Sequence, residues 1–200
     1  TEEDDELGVG CAGGGDVTAT GTYEPVSLDT QISGVRIEIR GLQGGHSGMD
    51  IHRGLGNANV LLTRLLLACQ EVAANHLSAF EGGNLRNAIP REAVALLGVP
   101  PSRSGELRAA FRAEKEAILA EYSSREPELE VEMYEVDGPE TAMSSDDTRR
   151  FLYCLYSLHN GVYAMSSEFP GLVETSNNIA RVAVGQGQVQ VGCLTRSSRE

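Results

Sequence analysis

Residues 35–50 read VRIEIRGLQGGHSGMD, and two different structural periods meet around this stretch. Apolar residues alternate with charged ones as far as Leu42, which is the two-residue period of a half-buried β-strand. After the stretch, apolar residues recur at three- and four-residue steps, which predicts one face of a helix from about Arg53 to Asn75. The glycine-rich segment Gly44–Asp50 is therefore predicted to be a loop between a strand and a helix.

His46 is the candidate functional residue of this loop. Gly44 and Gly45 allow backbone angles that a Cβ atom would forbid, and Gly48 keeps the loop slim. A histidine held at a strand-to-helix junction is well placed to contact a ligand. It can equally be a loop residue that only satisfies its neighbours, since short glycine motifs also occur by chance. The residues alone leave both interpretations open.

The predicted elements on either side of the loop follow the order β-α-β-β-α-β, which is the ferredoxin-like arrangement. We therefore predict an α+β fold, a two-layer sandwich in which an antiparallel sheet carries its helices on one face. This first unit covers residues 34–138. Its predicted elements are strands at 35–42, 77–80, 93–99 and 129–136, a helix from about Arg53 to Asn75, and a helix from 104 to 123 that Ser104 caps.

Residues 14–33 and 139–200 resemble a second, incomplete copy of this unit. We expect a strand at Val17–Val26, a helix that starts at Ser145 and ends at Gly161, and strands at Val173–Val184 and Gln188–Thr195. The closing helix and strand would follow Glu200, so that the first copy would be inserted into the second. The missing strand would leave an exposed sheet edge, which invites pairing with another chain.

Composition excludes several classes of partner. The net charge is −13 and Lys115 is the only lysine, so no basic stripe is available for nucleic acid or for an anionic membrane surface. No apolar run approaches the ~20 residues that a membrane-spanning helix needs. The four cysteines form no C-x-x-C pair, which argues against structural zinc and suits a reducing cytoplasm. The acidic run at residues 2–6 is interpreted as solvated charge.

Two further polar residues are candidates for ligand binding. Asn87 stands just before a predicted strand, where its amide could orient a carbonyl or amine, or could simply bond its own backbone in a turn. Arg196 ends the last predicted strand, where its guanidinium could clamp a carboxylate or form a surface ion pair. The sequence contains no H-x-D or H-E-x-x-H motif and no G-x-S-x-G elbow. We therefore assign no metal ligand, and expect binding groups without catalytic machinery.

Six segments form a set of motifs: residues 9–14 (VGCAGG), 41–52 (GLQGGHSGMDIH), 54–59 (GLGNAN), 85–93 (LRNAIPREA), 171–178, and Cys193-Leu194-x-Arg196-Ser197. Together they resemble the motifs of the cytosolic Xaa-His dipeptidases (aminoacyl-histidine dipeptidases), within the wider group of carnosinase-like zinc exopeptidases. The similarity covers nearly the whole chain and weakens at residues 98–139 and 143–169.

The resemblance implies a role for this chain and for its candidate residues. Family members have a dinuclear zinc catalytic domain with a lid domain inserted in it, and residues 1–200 resemble the lid. The zinc ligands and the general base would then lie outside this chain. By position in the matched motifs, His46 would polarise the scissile carbonyl and stabilise the oxyanion, Asn87 would hold the substrate backbone, and Arg196 would bind the C-terminal carboxylate of the dipeptide.

The resemblance further implies a cytoplasmic metallo-dipeptidase that hydrolyses Xaa-His dipeptides as the full-length protein. Its partners would be the dipeptide, the catalytic domain of the same polypeptide and, as one option, a second copy in a homodimer. We expect the 200 residues alone to be inactive and to bind no zinc. The alternatives are a non-enzymatic ferredoxin-like module for amino-acid binding or dimerisation, and a related exopeptidase with another peptide preference.

Overall fold

The computed structural model describes residues 12–199, so the acidic run at residues 2–6 and the first part of the 9–14 motif lie outside the described residues. Within that range the chain forms strands, three α-helices and two short 3-10 helices. The strands are β1 (Gly13–Thr22), β2 (Val26–Ser27), β3 (Ser33–Arg40), β4 (Gly45–His46), β5 (His76–Gly82), β6 (Ala88–Ile89), β7 (Ala93–Val99), β8 (Glu130–Val136), β9 (Thr141–Ala142), β10 (Gly161–Met165), β11 (Val173–Gly185) and β12 (Gln188–Ser197). The α-helices are α1 (Ala58–Val72), α2 (Ser104–Tyr122) and α3 (Ser145–Ser157).

One large antiparallel sheet organises the chain, with strand order β1-β12-β11-β5-β7-β3-β8 and β10 beside β11. The strands of the first predicted unit appear in it as β8-β3-β7-β5. Numbered along the chain, this is the order 4-1-3-2 of a ferredoxin-like unit with both helices between the expected strands. The predicted α+β class and antiparallel sheet are confirmed.

The helices cover one face of the sheet, as predicted. Val35, Ile37 and Ile39 of β3 are buried in a single core cluster together with the apolar residues of α1 and α2. Arg36 and Arg40 have the opposite parity along the same strand and are exposed on the other face. The predicted strand alternation therefore corresponds directly to the two faces of the sheet.

The second half of the sheet repeats part of this topology. β1, β12 and β11 lie side by side, with α3 between β1 and β11 in sequence, which matches strands 1, 3 and 2 of the same unit. β11 also pairs with β5 in antiparallel register, with Val184 opposite Phe80. β1 forms one end of the sheet, and all ten of its residues are exposed. The division into units at 34–138 and 14–33 plus 139–200 stays a prediction.

The first long helix begins later than predicted. Residues Ile51–Arg53 form a short 3-10 helix, and Gly54 then adopts a left-handed φ of 68°, which ends it. Helix α1 starts only after Asn57, whose side-chain oxygen accepts hydrogen bonds from the main-chain N–H groups of Asn59 (3.0 Å) and Val60 (3.3 Å). An asparagine at this position satisfies main-chain donors that the first helical turn leaves unpaired.

Two smaller predictions were wrong. Ser104 does not cap α2. A 3-10 helix over Pro101–Arg103 leads into α2, and Ser104 is the first residue of α2. Gly161 does not end α3, because the helix stops at Ser157 and Gly161 opens strand β10. β10 was not predicted from the sequence, because its pairing with β11 contains register shifts that break a simple alternation.

No helix within residues 12–199 combines the length and apolar character needed to cross a membrane. Cys69, Cys154 and Cys193 are free thiols, and burial raises the pKa of Cys69 to about 12.

Phe80 is expected to contribute strongly to stability because it is fully buried in β5 at the junction with β11. Replacing it with alanine should lower the free energy of unfolding by about 3–5 kcal/mol through lost burial and a residual cavity. The matched control is Phe169→Ala, since Phe169 is 61% exposed and its loss should change stability by less than ~0.5 kcal/mol. Urea denaturation of both variants measures the difference, and equal stabilities would contradict this packing.

Candidate functional site

The loop that carries His46 is attached to the segment that carries Asn87. Strand β4 pairs antiparallel with β6, so that His46 lies opposite Ala88. The main-chain N–H of Ser47 donates to the carbonyl of Asn87 at 2.8 Å. The segments that carry His46 and Asn87 therefore lie side by side, although the two residues are 41 positions apart in sequence.

A buried asparagine of β11 joins this pair of segments to the large sheet. The amide nitrogen of Asn178 in β11 donates to the carbonyl of Ala88 at 2.8 Å, and its amide oxygen accepts from Nδ2 of Asn57 at 3.2 Å. Asn178 is fully buried, so each of these bonds satisfies a group that has no access to water. The contacts fix the Asn87 segment against the strand next to β12.

Arg196 lies on β12, on the face of the sheet opposite the helices. Cys193 packs against the core, and Arg196 has the opposite parity on a strand whose register is regular at this end. The guanidinium side chain reaches the His46 loop at Gly48. A Cβ atom at Gly48 would lie 3.1 Å from Nε of Arg196 and 3.2 Å from Cε1 of His46. Glycine at this position therefore allows the guanidinium and the imidazole to approach the same point.

One hydrogen-bond donor of Arg196 is unpaired among the described residues. Its buried Nε has no hydrogen-bond partner among the described residues. Buried donors without a partner are uncommon in folded proteins because each costs desolvation free energy. A guanidinium can bind a carboxylate through parallel hydrogen bonds, and no described residue makes such a pair with Arg196.

The loop also sets which ring nitrogen of His46 can act on a ligand. Nδ1 accepts hydrogen bonds from the main-chain N–H groups of Gly48 (3.3 Å) and Met49 (3.2 Å). In a neutral imidazole one nitrogen accepts while the other carries the proton. The proton therefore belongs on Nε2, which makes that atom a donor for an oxygen of a bound molecule.

Asp50 stabilises the backbone of the same loop. Its Oδ2 accepts the main-chain N–H of His46 at 2.8 Å, and its Oδ1 accepts from the Arg53 guanidinium at 3.0 Å. The hydrogen bond from the His46 main chain, followed by that from Arg53, lowers the pKa of Asp50 below the ordinary value of 3.8. The Asp50 carboxylate is thus held ionised against the main chain of His46.

The structure brings the three predicted residues into one region, and their side chains differ in setting. His46 and Arg196 meet at Gly48, whereas the Asn87 side chain is exposed and the link to it runs through its backbone. Sequence reasoning missed Asn57, Asp50 and Asn178. Asn57 precedes an apolar helix, which is a usable capping signal, but nothing in the sequence marks Asn178 as its partner. The functional roles of His46, Asn87 and Arg196 stay predictions.

The described residues do not offer a set of donors for a metal ion. Within residues 12–199 no group of three or more histidine, cysteine, aspartate or glutamate side chains is placed to hold one. The arrangement at Gly48 provides hydrogen-bond donors from an imidazole and a guanidinium. Chemically, such a site binds and polarises anionic or carbonyl oxygens.

Comparison with known proteins shows what parts of this chain are similar to. Residues 37–126, which include His46 and Asn87, match the family model described as a peptidase dimerisation domain. This part of the chain is similar to that family.

Two individual proteins show similarity over nearly the whole chain. The cytosol non-specific dipeptidase of Escherichia coli (strain K12) is 36% identical over 197 residues, which is 98% of this chain and 41% of that protein. The crystal structure of the aminoacylhistidine dipeptidase from Vibrio alginolyticus superposes with a TM-score of 0.89 at 36% identity, over 94% of this chain and 38% of that one. The family resemblance seen in the sequence motifs is confirmed. The chain spans about two fifths of the length of these relatives.

Replacing Asp50 with asparagine should destabilise the protein at neutral pH and not in acid. The folded-state pKa of Asp50 is lowered, so its stabilising contribution is present above the ordinary pKa of 3.8 and is lost as the pH falls through the folded-state pKa. The free energies of unfolding of wild type and D50N should therefore differ at pH 7 and converge below pH 3.8. Asp137→Asn removes the same charge at an exposed loop position and is the control. A D50N deficit that persists undiminished in acid would contradict the assignment.

Proposed function

We propose that this chain is the substrate-covering lid of a dinuclear zinc dipeptidase that hydrolyses Xaa-His dipeptides. The lid supplies oxyanion- and carboxylate-binding groups, and the metal site belongs to the rest of the polypeptide. Similarity to two dipeptidases supports the hydrolase class. The observation that carries the proposal is the meeting of His46 and Arg196 at Gly48.

His46 acts on the scissile peptide in this proposal. Its Nε2 proton, set by the two main-chain donors on Nδ1, is donated to the carbonyl oxygen of the substrate. That oxygen becomes more negative as the carbonyl is attacked, so a fixed donor stabilises the transition state more than the ground state. The bond from the His46 main chain to Asp50 keeps the donor in place while this happens.

Arg196 and Asn87 bind the rest of the dipeptide. The guanidinium of Arg196 forms parallel bonds to the C-terminal carboxylate. The exposed amide of Asn87 is free to donate to and accept from the substrate backbone. Together these contacts hold the dipeptide with its scissile bond beside His46 and exclude water when the lid closes.

Zinc, when bound by residues elsewhere in the polypeptide, supplies an activated hydroxide for the attack. The described residues offer no donor set of their own, so the 200 residues alone are proposed to be inactive. Cytoplasmic location and homodimer formation are part of the same proposal. The cytosolic dipeptidase relative supports the first, and the match to a dimerisation domain supports the second. The match also favours a second candidate, in which residues 37–126 serve self-association alone.

Changing His46 to alanine in the full-length polypeptide should lower kcat about 10²–10³-fold, the cost of losing one oxyanion donor. The metal content should stay unchanged because His46 is not a ligand in this account. His52→Ala is the matched control, since His52 is an exposed histidine of the same region. Steady-state kinetics and metal analysis of both variants measure the effect. A kcat equal to wild type would mean that His46 is structural and would favour the self-association candidate.

Changing Arg196 to lysine should raise KM about tenfold for a dipeptide, because lysine keeps the charge and loses the paired hydrogen bonds. The effect should be absent for the same dipeptide with an amidated C-terminus, which has no carboxylate to bind. Arg199→Lys is the control, since Arg199 is largely exposed and pairs with Glu174 at 2.8 Å. An equal rise in KM for both substrates would refute the carboxylate role.

A further inference from the structure

A buried carboxylate holds both ends of the segment that carries His46. Glu126 follows α2 and is 2% exposed. Its Oε2 accepts the main-chain N–H of Gln43 and its Oε1 accepts the main-chain N–H of Gly56, each at 2.8 Å. Gln43 and Gly56 bracket His46 on either side, so one side chain closes the base of the whole loop.

The segment around Glu126 is packed tightly against that base. The Gln43 side chain donates to the carbonyl of Arg125. Gly41 adopts a left-handed φ of 79°, and a Cβ atom there would lie 1.9 Å from the carbonyl oxygen of Glu128. Any larger residue at Gly41 would force the two segments apart. The 125–128 segment therefore packs directly against the base of the loop.

The bonding pattern requires a carboxylate in particular. Two main-chain donors approach one side chain, and an ionised carboxylate provides an acceptor oxygen for each. Bonds from N–H groups to a buried carboxylate are charge-assisted and stronger than neutral ones. A glutamine of the same shape would keep one acceptor and would turn an NH₂ group toward the second N–H donor, leaving that donor unpaired.

We propose that Glu126 is a positioning residue for His46. It fixes the base of the loop, while the bond from Ser47 to the Asn87 carbonyl fixes its tip. The orientation of the imidazole against Arg196 depends on both attachments, together with the bond from the His46 main chain to Asp50. This inference rests on the proposed function, in which His46 is the donor to the scissile carbonyl.

The test is Glu126→Gln in the full-length polypeptide. We expect kcat to fall about 10- to 100-fold with KM within a factor of about two, because small misplacement of a catalytic group affects the transition state most. Hydrogen exchange followed by mass spectrometry should show faster exchange in peptides covering residues 43–56. Glu126→Asp keeps the charge and withdraws it by one methylene group, so it should show an intermediate loss and serves if the glutamine variant does not fold.

The control is Gln70→Glu, the reverse exchange at another buried polar side chain. Gln70 is 6% exposed and donates to the Ser145 carbonyl at 3.0 Å. It lies twelve residues beyond the start of α1, about 18 Å along the helix. This variant should disturb the fold near α3 and leave the exchange of residues 43–56 and kcat unchanged.

A double variant separates positioning from general stability. If Glu126 acts through His46, then E126Q should cause no further loss of kcat in a His46→Ala background. The same fold loss in both backgrounds would overturn the inference. An unchanged kcat in E126Q would also overturn it, while the proposed function would stand provided that H46A alone is impaired. An unimpaired H46A would instead refute the proposed function, and this inference with it.

Discussion

The antiparallel pairing of β5 with β11 joins the two halves of the large sheet. Its register sets Phe80 opposite Val184. His46 and Asn87 lie at the small two-stranded sheet of β4 and β6, whereas Arg196 lies on β12 of the large sheet, beside β11. The candidate site therefore depends on how the β4–β6 sheet is held against β11 and β12.

Buried amides reinforce this junction next to the site. Asn57 caps α1 with its oxygen and donates from Nδ2 to Asn178 and to the carbonyl of Ile179 (3.1 Å). The amide nitrogen of Asn178 in turn donates to the Ala88 carbonyl. A satisfied buried polar network of this kind specifies one arrangement, since any shift would leave amide groups unpaired without water. The side chains of Asn57 and Asn178 thus link the start of α1, the sheet junction and the candidate site.

The sequence predicted most of the fold because its apolar periods are strong. The alternation of Val35, Ile37 and Ile39 identified both β3 and the face that it buries. Boundaries were less accurate where glycines intervene, as at Gly54, because a left-handed residue ends one helix before Asn57 can start the next. Strand β10 was missed because its shifted register hides the two-residue period.

The candidate site was predicted only in part. His46, Asn87 and Arg196 could be selected from residue type and from the family resemblance, yet their convergence depends on long-range pairing that no local pattern contains. Asn178 gives no local signal: its role appears only when β11 lies against the Ala88 segment. Gly48 illustrates the same limit, since a Cβ atom there would crowd Arg196, far along the chain.

His46 and Arg196 are proposed to contact the same bound dipeptide. A crystal structure of the full-length polypeptide with a non-hydrolysable dipeptide analogue tests this. We expect Nε2 of His46 within about 3 Å of the oxygen that replaces the scissile carbonyl, and the Arg196 guanidinium at the same distance from the terminal carboxylate. An analogue bound beside the metal with neither side chain in contact, in a closed lid, would refute the proposed roles of both residues.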